Sequence, residues 1–459
     1  MLSSSAGWLF GVISITLIWL FLLIRKGPTQ ALGAAVALSF VFPVWATIDI
    51  AEVPFTIQTT VLCIAMLGYA IHPQGKIISP LTLLDFCIAL MYVTHVLADT
   101  FASGLTPSLP LLAYGEWALP YVAGRYAVRN EEDLRFIAPW IAGSLAFLGV
   151  VALIESLTVV NPFEVVFGNR PVELGHRAAR RFGFKRAFGP TTHAIYFGMM
   201  MIVLMPWLVC LWQAAKTRQA KTLTAIAALL GIIGCLSSVS RTPIVTLLIA
   251  AAIVTVIRFR ALRWPLTLTL VAAVVGFLMF PNEVTDTVSR WTGGGERVRL
   301  IEVDGKAVET SSSRSRLVLF TAYSRALIQG GFTGYGSKAV SKFPPEIPYM
   351  QGKSEATEVK SIDNGYVLLT LRFGWLGGGC FLLMFLTAVF SAALLHLDRP
   401  NRLFAASVGS LFLVIAAFGM FLVWMSYDFG LEILWTFGVL SGLSSSGIQN
   451  RRSGSRLYR

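Results

Sequence analysis

Three charged residues from distant parts of the chain have the types and positions needed for chemistry on a phosphate-linked substrate. Arg186 precedes an apolar run, Arg241 is the only charge in SSVSRTP (237–243), and Asp363 opens the apolar stretch SIDNGYVLLTLRFGWLGG (361–378). Guanidinium groups bind phosphate oxygens through a planar fork of donors, and a carboxylate partly withdrawn from water can accept a proton. Together they suit a lipid-linked diphosphate. The arginines would hold the diphosphate as it leaves, and the carboxylate would take a proton from the attacking hydroxyl.

Metal ligation has little support in the sequence. No Asp-x-Asp pair and no His or Cys cluster has the spacing of a divalent site, and all five cysteines lie in apolar runs. Arginine can supply the charge neutralisation that a metal often gives. We therefore expect metal-independent chemistry with no cofactor, no metal site and no disulfide framework.

Long apolar elements must bring these residues to one face. The chain has 459 residues, of which 55% are hydrophobic and 13% charged, with a mean hydropathy of +0.70. A soluble domain could not bury so much apolar surface, so we predict an all-α polytopic membrane protein with about 12–13 transmembrane helices. The candidate spans lie near 8–24, 30–48, 54–71, 80–98, 108–125, 135–156, 193–213, 222–238, 242–258, 264–281, 365–395, 403–425 and 430–447. The Gly-rich start of the run 365–395 predicts either a kink or a partly re-entrant segment.

The basic residues of the short connections predict the orientation. They collect in alternate connections, which the positive-inside rule assigns to the cytoplasm, so the N-terminus and both long loops are expected outside and the C-terminus inside. The same rule explains much of the net charge of +13 without nucleic acid. The predicted units are N-terminal helices (1–156), a basic outer loop (157–192), central helices (193–281), a large outer loop (282–362), C-terminal helices (363–447) and a cytoplasmic basic tail (448–459).

The large loop carries its own local patterns. RVRLIEVDGKAVE (297–309) alternates like a strand pair around an Asp-Gly turn. SSSRSRLVLFTAYSRALIQGGF (311–332) is typical of a helix with a serine-rich start. Its cations Arg314, Arg316 and Arg325 are candidate substrate contacts. Outside the loop, Asn364, Arg372 and His193 are further candidates for such contacts.

The candidate residues also have structural explanations. Asp363, like Asn364 beside it, can cap a helix, which is worth about 1 kcal/mol. Arg186 and Arg241 can contact lipid headgroups. Arg372 lies about 13 Å along a helix axis from Asp363, where it is either a substrate contact or paired with Glu155, Asp85 or Glu432.

Two histidines in or beside the basic loop are alternative proton acceptors. His176 lies in the loop, and His193 stands at the start of a span on the same side as Arg186. The structural explanation for His193 is helix capping or packing near the headgroups.

The order and spacing of several motifs resemble the bacterial O-antigen ligase and polymerase family of membrane glycosyltransferases. RAFGPTTHAIYFG (186–198) is similar to the family's Arg-x-x-Gly-Pro stretch, and SSVSRTP to its Ser-x-x-Arg turn. SRLVLFTAYSRALIQGGFTGYG (315–336) is similar to its loop helix with a Gly-x-Gly end. The ligases share a His-Asn pair, nine residues and Gly-x-x-Gly. Here the pair is Asp363-Asn364, followed by nine residues, Gly374 and Gly377.

This resemblance implies a polymerase that joins polyprenyl-diphosphate-linked oligosaccharide repeats at the periplasmic face by inverting, metal-free transfer. It implies that Arg186 and Arg241 bind the diphosphate and that Asp363 replaces the ligase histidine. Membrane lipid is an expected partner, and flippase and chain-length regulator proteins are further candidates.

Two other functions stay open. One is an O-antigen ligase that transfers glycan to lipid A core or another acceptor. The other is a transporter of a lipid-linked or anionic substrate, which intramembrane charges also suit. A transporter should carry repeated halves with broken helices at the midplane, and the sequence shows no such halves.

Overall fold

The chain forms a bundle of apolar helices with three small two-stranded sheets at its edges. The structure, a computed structural model, describes residues 4–50, 53–72, 80–168, 180–181, 183–280, 299–303, 306–310, 319–320, 323–340, 362, 364–397, 402–419 and 428–456. Asp363, Arg314, Arg316 and His176 lie outside these residues.

The N-terminal part contributes eight α-helices within the described ranges. They are α1 (Ser4–Lys26), α2 (Pro28–Ser39), α3 (Ile57–Ile71), α4 (Leu83–Ser103), α5 (Ser108–Ala113), α6 (Leu119–Ala127), α7 (Glu131–Thr158) and α8 (Pro162–Phe167). A π-helix, Tyr114–Ala118, joins α5 to α6, and an antiparallel hairpin of β1 (Thr47–Ile50) and β2 (Val53–Thr56) precedes α3.

The central and C-terminal parts follow the same pattern. Their helices are α9 (Ala194–Leu204), α10 (Pro206–Ala214), α11 (Arg218–Ser237), α12 (Arg241–Arg258), α13 (Arg263–Met279), α14 (Ser324–Gln329), α15 (Gly336–Ala339), α16 (Gly365–Leu397), α17 (Arg402–Phe418) and α18 (Phe429–Arg456). The strands are β3 (Arg180–Arg181) with β4 (Phe184–Lys185), and β5 (Arg299–Val303) with β6 (Lys306–Thr310).

The predicted all-α membrane architecture is confirmed. Among the described residues, seven helices are long and apolar enough to cross a membrane, and Ile57–Ile71, Arg402–Phe418 and Phe429–Ser445 are shorter apolar helices. Side-chain caps fix the residue at which some of these helices begin. The Thr56 side chain accepts from the Thr59 amide at α3, and Asn130 accepts from the Asp133 amide at α7. The total of 12–13 spans and the unit boundaries stay predictions.

Two predicted spans have a different local structure. In place of one helix over 30–48, α2 ends at Ser39 and the hairpin begins at Thr47. The interrupted run 108–125 contains the π-helix, where the Leu119 amide donates to the Tyr114 carbonyl five residues back, next to Pro120. The predicted strand pair near 297–309 is confirmed as β5–β6, with Val303 opposite Lys306.

The predicted kink in the run 365–395 is also confirmed. Gly374 has φ +67° and ψ −170°, so it breaks the helical path inside α16. Glycine adopts this left-handed region without a Cβ clash. The break separates residues 365–373 from the rest of α16.

Small residues allow the helices to approach closely. A Cβ on Gly438 of α18 would lie 2.0 Å from the Tyr121 carbonyl oxygen of α6, and one on Gly149 of α7 would lie 2.1 Å from the Leu230 carbonyl oxygen of α11. Close backbone approach is how apolar helices pack where lipid removes the hydrophobic driving force.

A buried ion pair joins α4, α6 and α18 at one end of the bundle. The Arg125 guanidinium contacts the Asp85 carboxylate and the Ser441 hydroxyl, and it donates to the Pro80 carbonyl at 2.8 Å. The Tyr121 hydroxyl donates to the same carboxylate at 2.8 Å. Asp85 is therefore committed to this network.

Arg125→Ala removes the cation that pairs with the largely buried Asp85 carboxylate, so we expect it to lower the free energy of unfolding by about 3–5 kcal/mol. Thermal unfolding in detergent measures this. The matched control is Arg135→Ala, which removes the Glu131 pair where Arg135 is 54% exposed, and it should cost less than about 1 kcal/mol. Equal effects of the two changes would contradict a structural role for the buried pair.

Candidate functional site

A buried carboxylate fixes the segment that carries Arg186. We call residues 185–190 the basic arm. Glu155 near the end of α7 is fully buried, and its Oε2 accepts from the backbone amides of Phe188 (3.0 Å) and Gly189 (2.9 Å). Its Oε1 lies 3.4 Å from the Lys185 ammonium. A buried carboxylate needs such partners, so the arm has to fold back onto α7.

Further hydrogen bonds, to and from backbone carbonyls, also hold the basic arm. Lys185 donates from Nζ to the Val159 carbonyl at 2.6 Å, and the Ser156 hydroxyl donates to the Lys185 carbonyl at 2.9 Å. The Asn161 amide donates to the Gly189 carbonyl at 3.0 Å. Both ends of the arm are thus tied to the segment that follows α7.

The basic arm delivers Arg186 to the start of α12. We call residues 237–241 the serine turn. Arg186 is 8% exposed, and it donates from Nη2 to the Ser240 hydroxyl at 2.8 Å and from Nε to the Ser238 carbonyl at 3.4 Å. The Ala187 amide donates to the Ser237 carbonyl at 2.8 Å. Since Ser240 directly precedes Arg241, the structure brings Arg186 to the turn that carries Arg241.

A third cation reaches the same turn. Arg181 in β3 donates to the Val239 carbonyl at 3.5 Å, and burial lowers the pKa of Arg181 from its usual value while leaving it a cation at neutral pH. Val239 has φ +44°, a left-handed conformation that strains a β-branched residue. Three arginines therefore approach a short turn with an unusual backbone.

The segment after the basic arm ties this site to α18. The Asp428 carboxylate, directly ahead of α18, accepts from the Thr192 amide (3.0 Å) and hydroxyl (2.7 Å). Burial raises the pKa of Asp428 to about 6, and the Thr192 bonds oppose that rise. The Tyr196 ring stacks on Phe429, the first residue of α18, at 5.6 Å between centroids.

His193 caps α9. Its Nδ1 accepts from the Ile195 amide at 3.2 Å, so the capping explanation is confirmed. A Cβ on Gly198 of α9 would lie 2.7 Å from Pro243 of α12, which shows how closely α9 approaches the serine turn.

The residues on both sides of Asp363 are buried. Ile362 is 1% exposed and Asn364 is fully buried, with its Oδ1 accepting from the Val367 amide at 3.1 Å. The Tyr366 hydroxyl donates to the Ala416 carbonyl of α17 at 2.5 Å, and α17 also packs against α12. The start of α16 therefore shares a neighbour with the helix that begins at Arg241.

Two of the three predicted partners of Arg372 pair elsewhere, and the pairing with Glu432 stays a prediction. Glu155 pairs with Lys185 and Asp85 with Arg125, whereas the acids that act electrostatically on Arg372 are Glu116 and Asp99. Sequence spacing could not identify these acids, which lie in the π-helix and α4. Tyr196 is a further electrostatic neighbour of Arg372, so α16 approaches α9 here. Arg325 lies exposed on α14.

Sequence reasoning missed four side chains that shape the site. They are Ser240, which accepts from Arg186, the Thr192–Asp428 pair, and Asp99. Asp428 had a usable signal, because an acid directly ahead of an apolar run is expected to contact backbone amides at that boundary.

The arrangement can bind an anion beside a membrane-embedded helix end. Guanidinium groups at the serine turn favour phosphate oxygens, and the α12 N-terminus adds backbone N–H donors. No group of three or more His, Cys, Asp or Glu in the described ranges is arranged to hold a metal ion.

Comparison with known proteins agrees with the motifs. Residues 226–382 match the family model described as O-Antigen ligase. This segment contains the serine turn, the loop helix and the Asp363-to-Gly377 stretch, and the match confirms the resemblance to the O-antigen ligase and polymerase family. It supports a membrane glycosyltransferase-like enzyme without separating polymerase from ligase. No curated protein matches the chain.

Glu155→Gln keeps the side-chain shape but removes the charge opposite the buried Lys185 ammonium. We expect a loss of about 3 kcal/mol in the free energy of unfolding, because a buried cation loses its partner. Glu131→Gln, where the side chain is 32% exposed at the start of α7, is the control and should change little. A Glu155→Gln protein that melts with the wild type would show that the carboxylate does not hold the basic arm.

Proposed function

We propose that this chain, whose residues 226–382 match the O-antigen ligase family, is a polymerase that joins polyprenyl-diphosphate-linked oligosaccharide repeats in exopolysaccharide or O-antigen synthesis. The reaction would take place at the periplasmic face of the bacterial inner membrane, with the N-terminus periplasmic and the C-terminus cytoplasmic.

The contact of Arg186 with the serine turn carries this proposal. Residues 186 and 240 are separated by 54 positions, yet the Arg186 Nη2 lies 2.8 Å from the Ser240 hydroxyl, next to Arg241. The guanidinium group of Arg186 at the serine turn and that of Arg241 within it can together contact both phosphates of a diphosphate. Such preorganised cations are most effective where water is excluded, because the charge of the leaving group grows as the bond breaks.

Asp363 is the proposed proton acceptor. An acceptor sugar hydroxyl attacks the anomeric carbon from the side opposite the diphosphate, and its proton passes to the Asp363 carboxylate. The new glycosidic bond forms as the bond to the diphosphate oxygen breaks, and the polyprenyl diphosphate leaves with the electron pair. Inversion at the anomeric carbon follows from this single displacement.

An O-antigen ligase is the second candidate, because the matching family model carries that description. The aspartate in place of the family's His-Asn histidine favours the polymerase. A transporter is less well supported, because Arg181, Arg186 and Arg241 gather at one turn next to the start of α12 and not at mid-helix positions of two repeated halves.

Arg186→Ala and Arg241→Ala should each lower polymer in a complemented deletion strain by at least about 100-fold, since each removes a charge-assisted phosphate contact. Gel analysis of the polysaccharide, normalised to the amount of membrane-inserted protein, measures this. Arg258→Ala, at the other end of α12, is the matched control and should make normal polymer. Wild-type polymer in the Arg241→Ala strain would count decisively against the proposal.

Asp363→Ala should abolish transfer by the purified protein, because no group then takes the hydroxyl proton. Asn364→Ala is the control for local damage and should keep measurable transfer. The wild-type yield in EDTA should equal that in its absence, since arginines supply the positive charge. Full activity of Asp363→Ala would exclude this residue as the base.

Sugar analysis of the deletion strain separates the two enzymes. Short, unpolymerised repeats point to a polymerase. Long chains that are made but not attached to an acceptor point to a ligase.

A further inference from the structure

A turn of the large loop completes the hydrogen bonding of the broken helix α16. We call residues 330–337 the dock turn. In a continuous helix the Trp375 amide would donate to the Leu371 carbonyl. Instead Trp375 donates to the Gly331 carbonyl at 3.0 Å, and Leu371 accepts from the Tyr335 amide at 2.8 Å. The dock turn therefore supplies both the acceptor for the Trp375 amide and the donor for the Leu371 carbonyl, which would be hydrogen-bonded to each other in a continuous helix.

The dock turn and α16 lie so close together that each must have a glycine at the point of contact. A Cβ on Gly374 would lie 2.2 Å from the Phe332 backbone, and one on Gly334 would lie 2.5 Å from the Gly374 nitrogen. Real Cβ atoms do not approach backbone atoms so closely, and both glycines also have positive φ. The Gly-x-Gly end of the loop helix is thus fitted to the break in α16.

Asp99 of α4 holds the far end of the dock turn. Asp99 is 2% exposed, and its two oxygens accept from the Ser337 amide at 2.6 Å and the Ser337 hydroxyl at 2.5 Å. The His95 Nε2 lies 3.4 Å from the same carboxylate, and Trp117 donates to the His95 Nδ1 at 3.0 Å. A charged acceptor with two donors from one residue is a strong and directional attachment.

The dock turn controls where the start of α16 lies. A second apolar core contains Leu319, Tyr323, Ala326, Leu327 and Val340 of the loop together with Ile362, Val367, Leu368 and Leu371. The first residues of α16 therefore pack with the loop. A displacement of the dock turn is therefore expected to displace Ile362 and the first turn of α16.

We propose that Asp99 is a positioning residue for the transfer reaction: by holding Ser337 it fixes the dock turn in the break of α16 and so sets the position of Ile362 and Asn364, the sequence neighbours of the proposed proton acceptor Asp363. This inference rests on the proposed function. Asp99 does not touch the substrate. It acts through Ser337, the dock turn and Leu371.

The test uses the full-length protein, with Asp99→Ala and Ser337→Ala as the disrupting variants and Ser337→Thr as the variant that keeps the hydroxyl. Thr100→Val is the matched control, because the Thr100 hydroxyl donates only to its own helix at the Val96 carbonyl in the contacts seen here. Trypsin cleavage of purified protein after Arg325 and Lys338, both exposed, reports whether the loop is docked. Polymer per inserted protein reports the reaction.

We expect cleavage to be at least about ten-fold faster in Asp99→Ala, because loss of a charge-assisted attachment raises the open population, and polymer to fall by at least as much. Ser337→Ala should have smaller effects in the same direction, while Ser337→Thr and Thr100→Val should behave as wild type. An unchanged cleavage rate in Asp99→Ala would contradict the claim that Asp99 holds the dock turn through Ser337. Faster cleavage with unchanged polymer, or polymer that falls only with protein amount, overturns the positioning role.

If the proposed function itself is wrong, these assays give a different pattern of results. In that case the wild type makes neither polymer nor ligated glycan, while the trypsin assay still compares docked and undocked loops. The positioning role then falls with the reaction, and the attachment of Ser337 to Asp99 is judged by cleavage alone.

Discussion

The buried carboxylate of Glu155 is the constraint on which the site depends. A carboxylate withdrawn from water has to be matched by donors, and here these are the Phe188 and Gly189 amides and the Lys185 ammonium. To bring these donors to the carboxylate, the chain has to fold back onto α7. The next residue after Lys185 then meets the serine turn, so the position of Arg186 is a consequence of how one buried acid is paired.

The same rule recurs wherever a connecting segment meets the bundle. Asp428 holds the backbone amide of Thr192, and Asp99 holds that of Ser337, just as Glu155 holds the basic arm. Each carboxylate lies at or near a helix end and accepts from a backbone N–H of an irregular segment. Backbone groups near a membrane cannot stay unsatisfied, so these acids determine which conformation each connection adopts.

The sequence predicts the elements better than it predicts their partners. Apolar runs, caps and the Asp-Gly turn are local signals, and the helices, the β5–β6 pair and the break at Gly374 follow from them. The meeting of Arg186 with the serine turn also follows, because both border spans on one predicted side. The partners of the charged residues, in contrast, cannot be predicted from local sequence signals. Arg372 has Glu116 and Asp99 as acidic neighbours, and Asp99 binds a serine 238 residues away, which no spacing rule specifies.

The break in α16 makes loop folding and helix packing interdependent. Without the dock turn, the Leu371 carbonyl and the Trp375 amide would lack their partners, and each unsatisfied group near hydrocarbon costs several kcal/mol, about 2–7 by transfer measurements. A straight α16 would satisfy them internally but would leave no gap for Gly334. The docked loop and the broken helix therefore have to form together. Because Ser337 is held by α4, the position of the start of α16 also depends on how α4 packs against α16.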